Sequence, residues 1–309
     1  MYSFTLIRNL FKKHNIPIII YILANITLIF FLFFWMNVVP FSSVTDIEKH
    51  KIYNGLVGIG IYLVGATIFM SPVGEFFFRA TRGLKRIDDM PEFAQLKQAF
   101  DEVYARATAK YGDLPKGIKL YLQLTGDKNA AALGRKTIFF TQGILALPIE
   151  DLNGVMAHEL AHLYNGDTVI LLFLLTGNVI INIIASIIKT LLYILGLAGL
   201  LFGGDDSRAG RLSSLAVILL GRLIIDGIVG LWTLIGVLMR NITSKQVEFE
   251  ADEFACSIGY GKNLANALLL IDQTGSQGAR ARQTLLDKAL SSHPETHERV
   301  RRCNEYAYA

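Results

Sequence analysis

Three features of the sequence predict a mostly α-helical membrane protein, with about four hydrophobic helices and a smaller α+β part in water. First, charge is partitioned. Of 309 residues 18% are charged, yet segments 16–39, 52–74, 168–204 and 212–239 hold only Lys189, Arg222 and Asp226. The remaining residues are charged at about 27%, an ordinary density for a water-soluble domain. Second, short strand-like runs gather between 118 and 141. Third, a metal-binding helical pattern lies directly before the third apolar segment. An apolar-rich chain with two cysteines is neither disordered nor a disulfide-stapled miniature.

The first two apolar segments exceed the roughly 20 residues that cross a hydrocarbon core of about 30 Å. Segment 16–39 is longer than the core of a secretory signal and no cleavage pattern follows it, so it reads as a retained anchor. Segment 168–204 would reach about 55 Å as one helix, so it either overhangs the bilayer or breaks near Gly196, Gly199, Gly203 and Gly204. A re-entrant hairpin of 168–204 with 212–239 is the alternative to two crossings. Arg222 and Asp226 stand four apart on one face, a structural ion pair or an ion path. Lys189 is placed either to join that pair or to snorkel to the outer interface. Gly55, Gly58, Gly60 and Gly65 read as helix-packing positions.

Orientation follows from basic residues flanking the spans. Arg8, Lys12 and Lys13 precede the first, and Arg79, Arg82, Lys85 and Arg86 follow the second. The N-terminus and residues 73–167 are therefore expected inside and the short first loop outside. The net charge of +4 comes from the N-terminal residues and Lys189. No water-soluble segment is basic overall, so a nucleic-acid partner is not expected. The predicted organisation is a two-helix anchor over 1–74, a first catalytic part over 75–167, a hydrophobic helix pair over 168–239 and a second catalytic part over 240–309. Cys256 and Cys303 fall on the inside, where thiols stay reduced.

The chemistry begins at His158-Glu159-Leu160-Ala161-His162. Histidines four apart share one helix face and can share a metal, and the glutamate between them can take a proton from a metal-bound water. Leu152, Val155, Met156, Leu160 and Leu163 make this helix amphipathic and buried, and buried histidines need partners. A catalytic zinc needs a third protein ligand. Glu248 and Asp252, again four apart, supply a carboxylate for the metal and a second that orients a ligand histidine.

Taken together, the anchors, the His158–His162 motif, the hydrophobic pair, Glu248-Phe249-Glu250-Ala251-Asp252, and Ser292-His293-Pro294 with Arg299 resemble the HtpX-type membrane zinc metallopeptidases, relatives of the CAAX prenyl endopeptidases. The resemblance implies a zincin-like (gluzincin) catalytic domain with a small β-sheet. It implies one Zn²⁺ per chain on His158, His162 and Glu248, Glu159 as general base, and Asp252 supporting a ligand histidine. Lys245 departs from the arginine common in such proteins and cannot make a bidentate fork.

Runs 118–125, 129–133 and 137–141 are strand-like, with turn signals at Gly126-Asp127 and Gly134-Arg135. In similar peptidases the strand opening Asn-Ala pairs with extended substrate, which gives Asn129, Ala130 and Ala131 a substrate-binding role. The alternative is a plain structural hairpin. His293 either donates to the developing oxyanion or is a structural histidine before proline. Asp167 reads as the N-cap of the third segment. The expected protein is a multi-pass endopeptidase of the inner (cytoplasmic) membrane, with its catalytic domain on the cytosolic side. It is expected to act on membrane or misfolded polypeptides in quality control and stress response, with the lipid bilayer as partner and the oligomeric state open. The rivals are a non-proteolytic zinc-containing assembly factor, a transporter built on Arg222 and Asp226, and a prenyl-protein endopeptidase.

Overall fold

A computed structural model describes residues 12–35, 47–202, 208–275 and 295–307. In chain order its first helices are α1 (Ile16–Trp35), α2 (Ile47–Phe69) and α3 (Pro72–Thr81), followed by strand β1 (Lys85–Arg86) and α4 (Ala94–Tyr111). Strands β2 (Lys119–Gln123), β3 (Ala130–Leu133) and β4 (Thr137–Thr141) lead to α5 (Ile149–Asn165). Then come α6 (Asp167–Phe202), α7 (Arg208–Ser257), α8 (Gly261–Gly275) and α9 (Thr296–Ala307). The chain divides into two compact units, one of residues 1–20, 65–173 and 240–309, the other of 21–64 and 174–239.

The second unit consists of the apolar helices. Four helices among the described residues are long and apolar enough to cross a membrane. Their outward faces are hydrocarbon, with Leu219, Leu223, Ile228 and Leu231 all more than half exposed, the surface a lipid solvent requires. Inside the unit several polar groups pair with one another. The Tyr21 hydroxyl donates to Asn178 Oδ1 at 2.6 Å, Trp232 Nε1 donates to Asn25 Oδ1 at 3.0 Å, and the Tyr21 and Trp232 rings stack at 5.6 Å. Lys189 Nζ meets Asp226 at 2.7 Å while Arg222 Nε stands 3.7 Å from the same carboxylate. Lys189 thus joins the pair, and the three charges link α6 to α7.

Two boundaries differ from the sequence expectation. The second apolar run does not continue to residue 74: Ser71 Oγ accepts the Val73 N–H at 3.1 Å and Pro72 opens α3, an N-terminal start that breaks the span. Of the two alternatives for the third segment, the unbroken helix is the one found within the described residues, α6 running to Phe202. Likewise α7 continues for 50 residues, about 75 Å, so the fourth apolar segment and the Glu248–Asp252 motif lie on one helix.

The first unit is α+β. Its sheet has the order β1-β2-β4-β3, with β2 parallel to β4 and the other pairs antiparallel. Leu120, Ile138 and Phe140 from the sheet meet Phe100 and Val103 of α4 and Met156 and Leu160 of α5 in one core. Helix α5 approaches α8 closely at Gly154, where a Cβ would stand 2.2 Å from the Leu264 nitrogen. It ends at Gly166, left-handed with φ +75°, which turns the chain into α6 after a single residue. These placements set β3 at the sheet edge beside α5.

Candidate metal centre

Helix α5 carries His158, Glu159 and His162 on its buried side, and α7 brings Glu248. The two Nε2 atoms face each other at 3.2 Å. Glu248 Oε2 stands 3.4 Å from His158 Nε2, and Oε1 3.7 Å from His162 Nε2. An ion held tetrahedrally at about 2.0–2.1 Å keeps its ligand atoms about 3.3–3.4 Å apart, so the cluster fits one zinc-sized cation.

The outer nitrogens support the same reading. His158 Nδ1 faces Asp252 Oδ1 at 2.9 Å, and His162 Nδ1 faces Asp167 Oδ2 at 3.2 Å. Each aspartate draws the ring proton to Nδ1 and leaves the Nε2 lone pair turned into the shared space, the tautomer a metal ligand requires. Burial opposes charge on His158, but the Asp252 and Glu248 carboxylates outweigh it and push its pKa up to about 10. Burial acts the same way on His162, where Asp167 is the strongest opposing group and the net shift is upward. A pocket that draws both imidazoles towards a positive charge is suited to a dication.

Arg299, 6% exposed on α9, braces the acidic side. Its Nε and Nη2 donate to the two oxygens of Asp252 at 2.8 and 2.7 Å, and Nη1 lies 3.3 Å from Glu248 Oε2. Burial works against the guanidinium charge, yet Asp252 and Glu248 hold its pKa above the ordinary value. Glu159 Oε2 accepts the Ala132 N–H of β3 at 2.7 Å, which fixes the carboxylate beside the sheet edge.

Most of the expected residues come together here. Just before β3, Asn129 is held against the end of β4: its N–H donates to Thr141 Oγ1 at 2.8 Å and its carbonyl accepts from Thr141 N at 2.9 Å. Antiparallel alternation then turns the backbone of Ala130 and Ala132 outward, and that of Asn129 and Ala131 towards β4. The edge therefore offers Ala130 and the carbonyl of Ala132, the Ala132 N–H being taken by Glu159; of the two residues the sequence reading named only Ala130. Asp167 is the other correction. Gly166 carbonyl accepts the first α6 bonds from Val169 and Ile170, and the Asp167 side chain turns to His162 instead of capping. Lys245, which cannot make a bidentate fork, is exposed, and the bidentate contact to a carboxylate at this site comes from Arg299. His293 lies outside the described residues.

The model of peptidase family M48 matches residues 91–307. "Protease HtpX homolog" of Bifidobacterium longum is 29% identical over 278 residues, covering 81% of this chain and 83% of that protein. The homolog of Methanocaldococcus jannaschii is 27% identical over 240 residues, 71% of this chain and 78% of its own length. "Protease HtpX" of Idiomarina loihiensis is 23% identical over 303 residues, 92% and 96% of the two chains. Among solved structures, S. mikatae Ste24p matches with a TM-score of 0.50 at 16% identity, a likeness of fold covering 91% of this chain and 62% of that one. The family match, the apolar helices and the cluster together define a membrane metallopeptidase. More narrowly, the chain belongs to peptidase family M48.

Proposed function

We propose that the protein is a zinc-dependent endopeptidase of the cytoplasmic membrane that cleaves membrane or misfolded polypeptides near the cytosolic surface, in protein quality control. The observation that carries the reading is the convergence of His158, His162 and Glu248 with Glu159 set between them and an edge strand. One Zn²⁺ on these three residues supplies Lewis-acid polarisation of the scissile carbonyl and a more acidic water. Glu159 takes the proton of the attacking water at a carboxylate oxygen and returns it to the leaving amine. Ala130 and the carbonyl of Ala132, whose N–H Glu159 holds, pair with the extended substrate backbone, which grips a peptide whatever its side chains. His293 is proposed as an oxyanion donor. Asp252 and Asp167 keep both histidines in the ligating tautomer, and Arg299 holds Asp252.

Substrate class follows from position along the chain. His162 is five residues before Asp167, where α6 begins, and residues 168–204 carry no charge but Lys189. A peptide bond reaching this centre is drawn from a juxtamembrane loop or an exposed misfolded segment. The basic residues flanking the first two spans support a cytosolic location for residues 75–167. Trypsin added to sealed right-side-out vesicles is then expected to leave 75–167 intact and to cut it in inverted vesicles; the reverse pattern overturns the orientation.

The proposed chemistry is tested by metal removal. Purified full-length protein in detergent is expected to contain one zinc per chain and to lose cleavage of an unstructured polypeptide when a chelator strips it. Adding one equivalent of zinc is expected to restore at least most of the rate. Undiminished cleavage by metal-free protein would refute the assignment.

A further inference from the structure

Helices α7 and α9 face each other through a ladder with a four-residue rung spacing. On α7 the rungs are Glu248, Asp252 and Cys256; on α9 they are Arg299 and Cys303. Arg299 engages the first two. The third rung is the two thiols, which are within hydrogen-bonding reach of each other. Cys303 is fully buried in the core, whereas Cys256 is half-buried. Behind Cys256 stands Gly261, where a Cβ would come within 2.9 Å of Sγ, so the backbone there crowds the thiol. A cavity of about 460 Å³, lined by both cysteines with Phe249, Arg302 and Tyr306, opens onto the pair. Nothing in the proposed peptidase mechanism uses these thiols.

We propose that Cys256 and Cys303 form a reversible intrachain disulfide that fastens α9, which carries Arg299, onto α7, which carries Glu248. On the inside the pair rests as thiols, and the bond forms transiently when a low-molecular-weight disulfide accumulates and enters through the cavity. The hydrogen bond to Cys256, together with burial, raises the pKa of the Cys303 thiol, so Cys303 keeps its proton and Cys256 attacks. Cys256 thiolate displaces one thiolate of the oxidant and becomes a mixed disulfide. Cys303 then gives up its proton, attacks the Cys256 sulfur and expels the second thiol. Two protein thiols and one small disulfide thus yield one protein disulfide and two small thiols, with two electrons passing to the oxidant. The cross-link joins positions 47 residues apart, so it restricts the unfolded chain by closing a ring of that length. Its effect on the metal rests on the zinc reading above: a fastened Arg299 keeps Glu248 and Asp252 in place and slows zinc loss.

The test uses the full-length protein in detergent, equilibrated with oxidised or reduced glutathione. Oxidation is expected to abolish both titratable thiols, lower the mass by about 2 Da and join the two cysteine peptides, all reversed by dithiothreitol. The oxidised form is expected to melt several degrees higher and to release zinc to a chelator about tenfold more slowly. Cys256→Ser and Cys303→Ala are each expected to remove the difference between the two conditions. Persistent thiols, or stable glutathione adducts without the intrachain bond, overturn the proposal. A disulfide that changes neither melting nor zinc release overturns the fastening. If neither form binds zinc, the peptidase reading fails, while mass and melting still decide the disulfide.

Discussion

Glu159→Gln is expected to keep one zinc per chain and to lower kcat/KM on an unstructured polypeptide by about 10³-fold, the range general-base catalysis contributes. The substitution suits the site because glutamine has the shape of glutamate. Its carbonyl can still accept the Ala132 N–H, now bonded to Oε2 at 2.7 Å, and the residue stays buried. Only basicity is lost. The ligand set is His158, His162 and Glu248, none of which the change touches, so metal content and cleavage separate in one preparation. A zinc-holding assembly factor would show the same cleavage, or none, in both proteins. Cleavage by Glu159→Gln at the wild-type rate would sink the enzyme reading.

What could be read in advance divides along a physical line. The four apolar segments and the His158–His162 and Glu248–Asp252 spacings are local, periodic signals, and each is found on the helix its spacing implied. Hydropathy, however, adds residues without seeing caps, so it ran through Ser71-Pro72 although serine before proline is a helix start. It also stopped at residue 239 because the apolar stretch stopped, although α7 continues to Ser257. Strand β1 has two residues and is held by pairing with β2, which leaves no period to detect. Asp167 was legible as a residue but not as a role, since its partner depends on the left-handed turn at Gly166. Arg299 could be placed in a motif, yet its partners lie 47 and 51 positions earlier in the sequence, a distance only tertiary structure bridges. A buried arginine, once known to be buried, demands carboxylates, and the buried acids Glu248 and Asp252 supply them.

The second large effect is at that arginine. Arg299→Met preserves much of the side-chain volume but removes a guanidinium that donates twice to Asp252 and lies 3.3 Å from Glu248. Removing one partner of a buried ion pair leaves an uncompensated charge and costs about 3–5 kcal/mol. Unbraced, Asp252 loses its hold on His158 Nδ1 and Glu248 its orientation, so zinc affinity is expected to fall about 10- to 100-fold. Thermal unfolding in detergent and competition with a chelator measure the two effects separately. Arg299→Lys restores charge but not the two-pronged contact, and is expected to recover only part of each. The pair Arg299→Met with Asp252→Asn is expected to cost less than the sum of the single changes, because the carboxylate stranded by the first is neutralised by the second. Strict additivity would mean that the two residues act independently and that the α7–α9 brace does not exist.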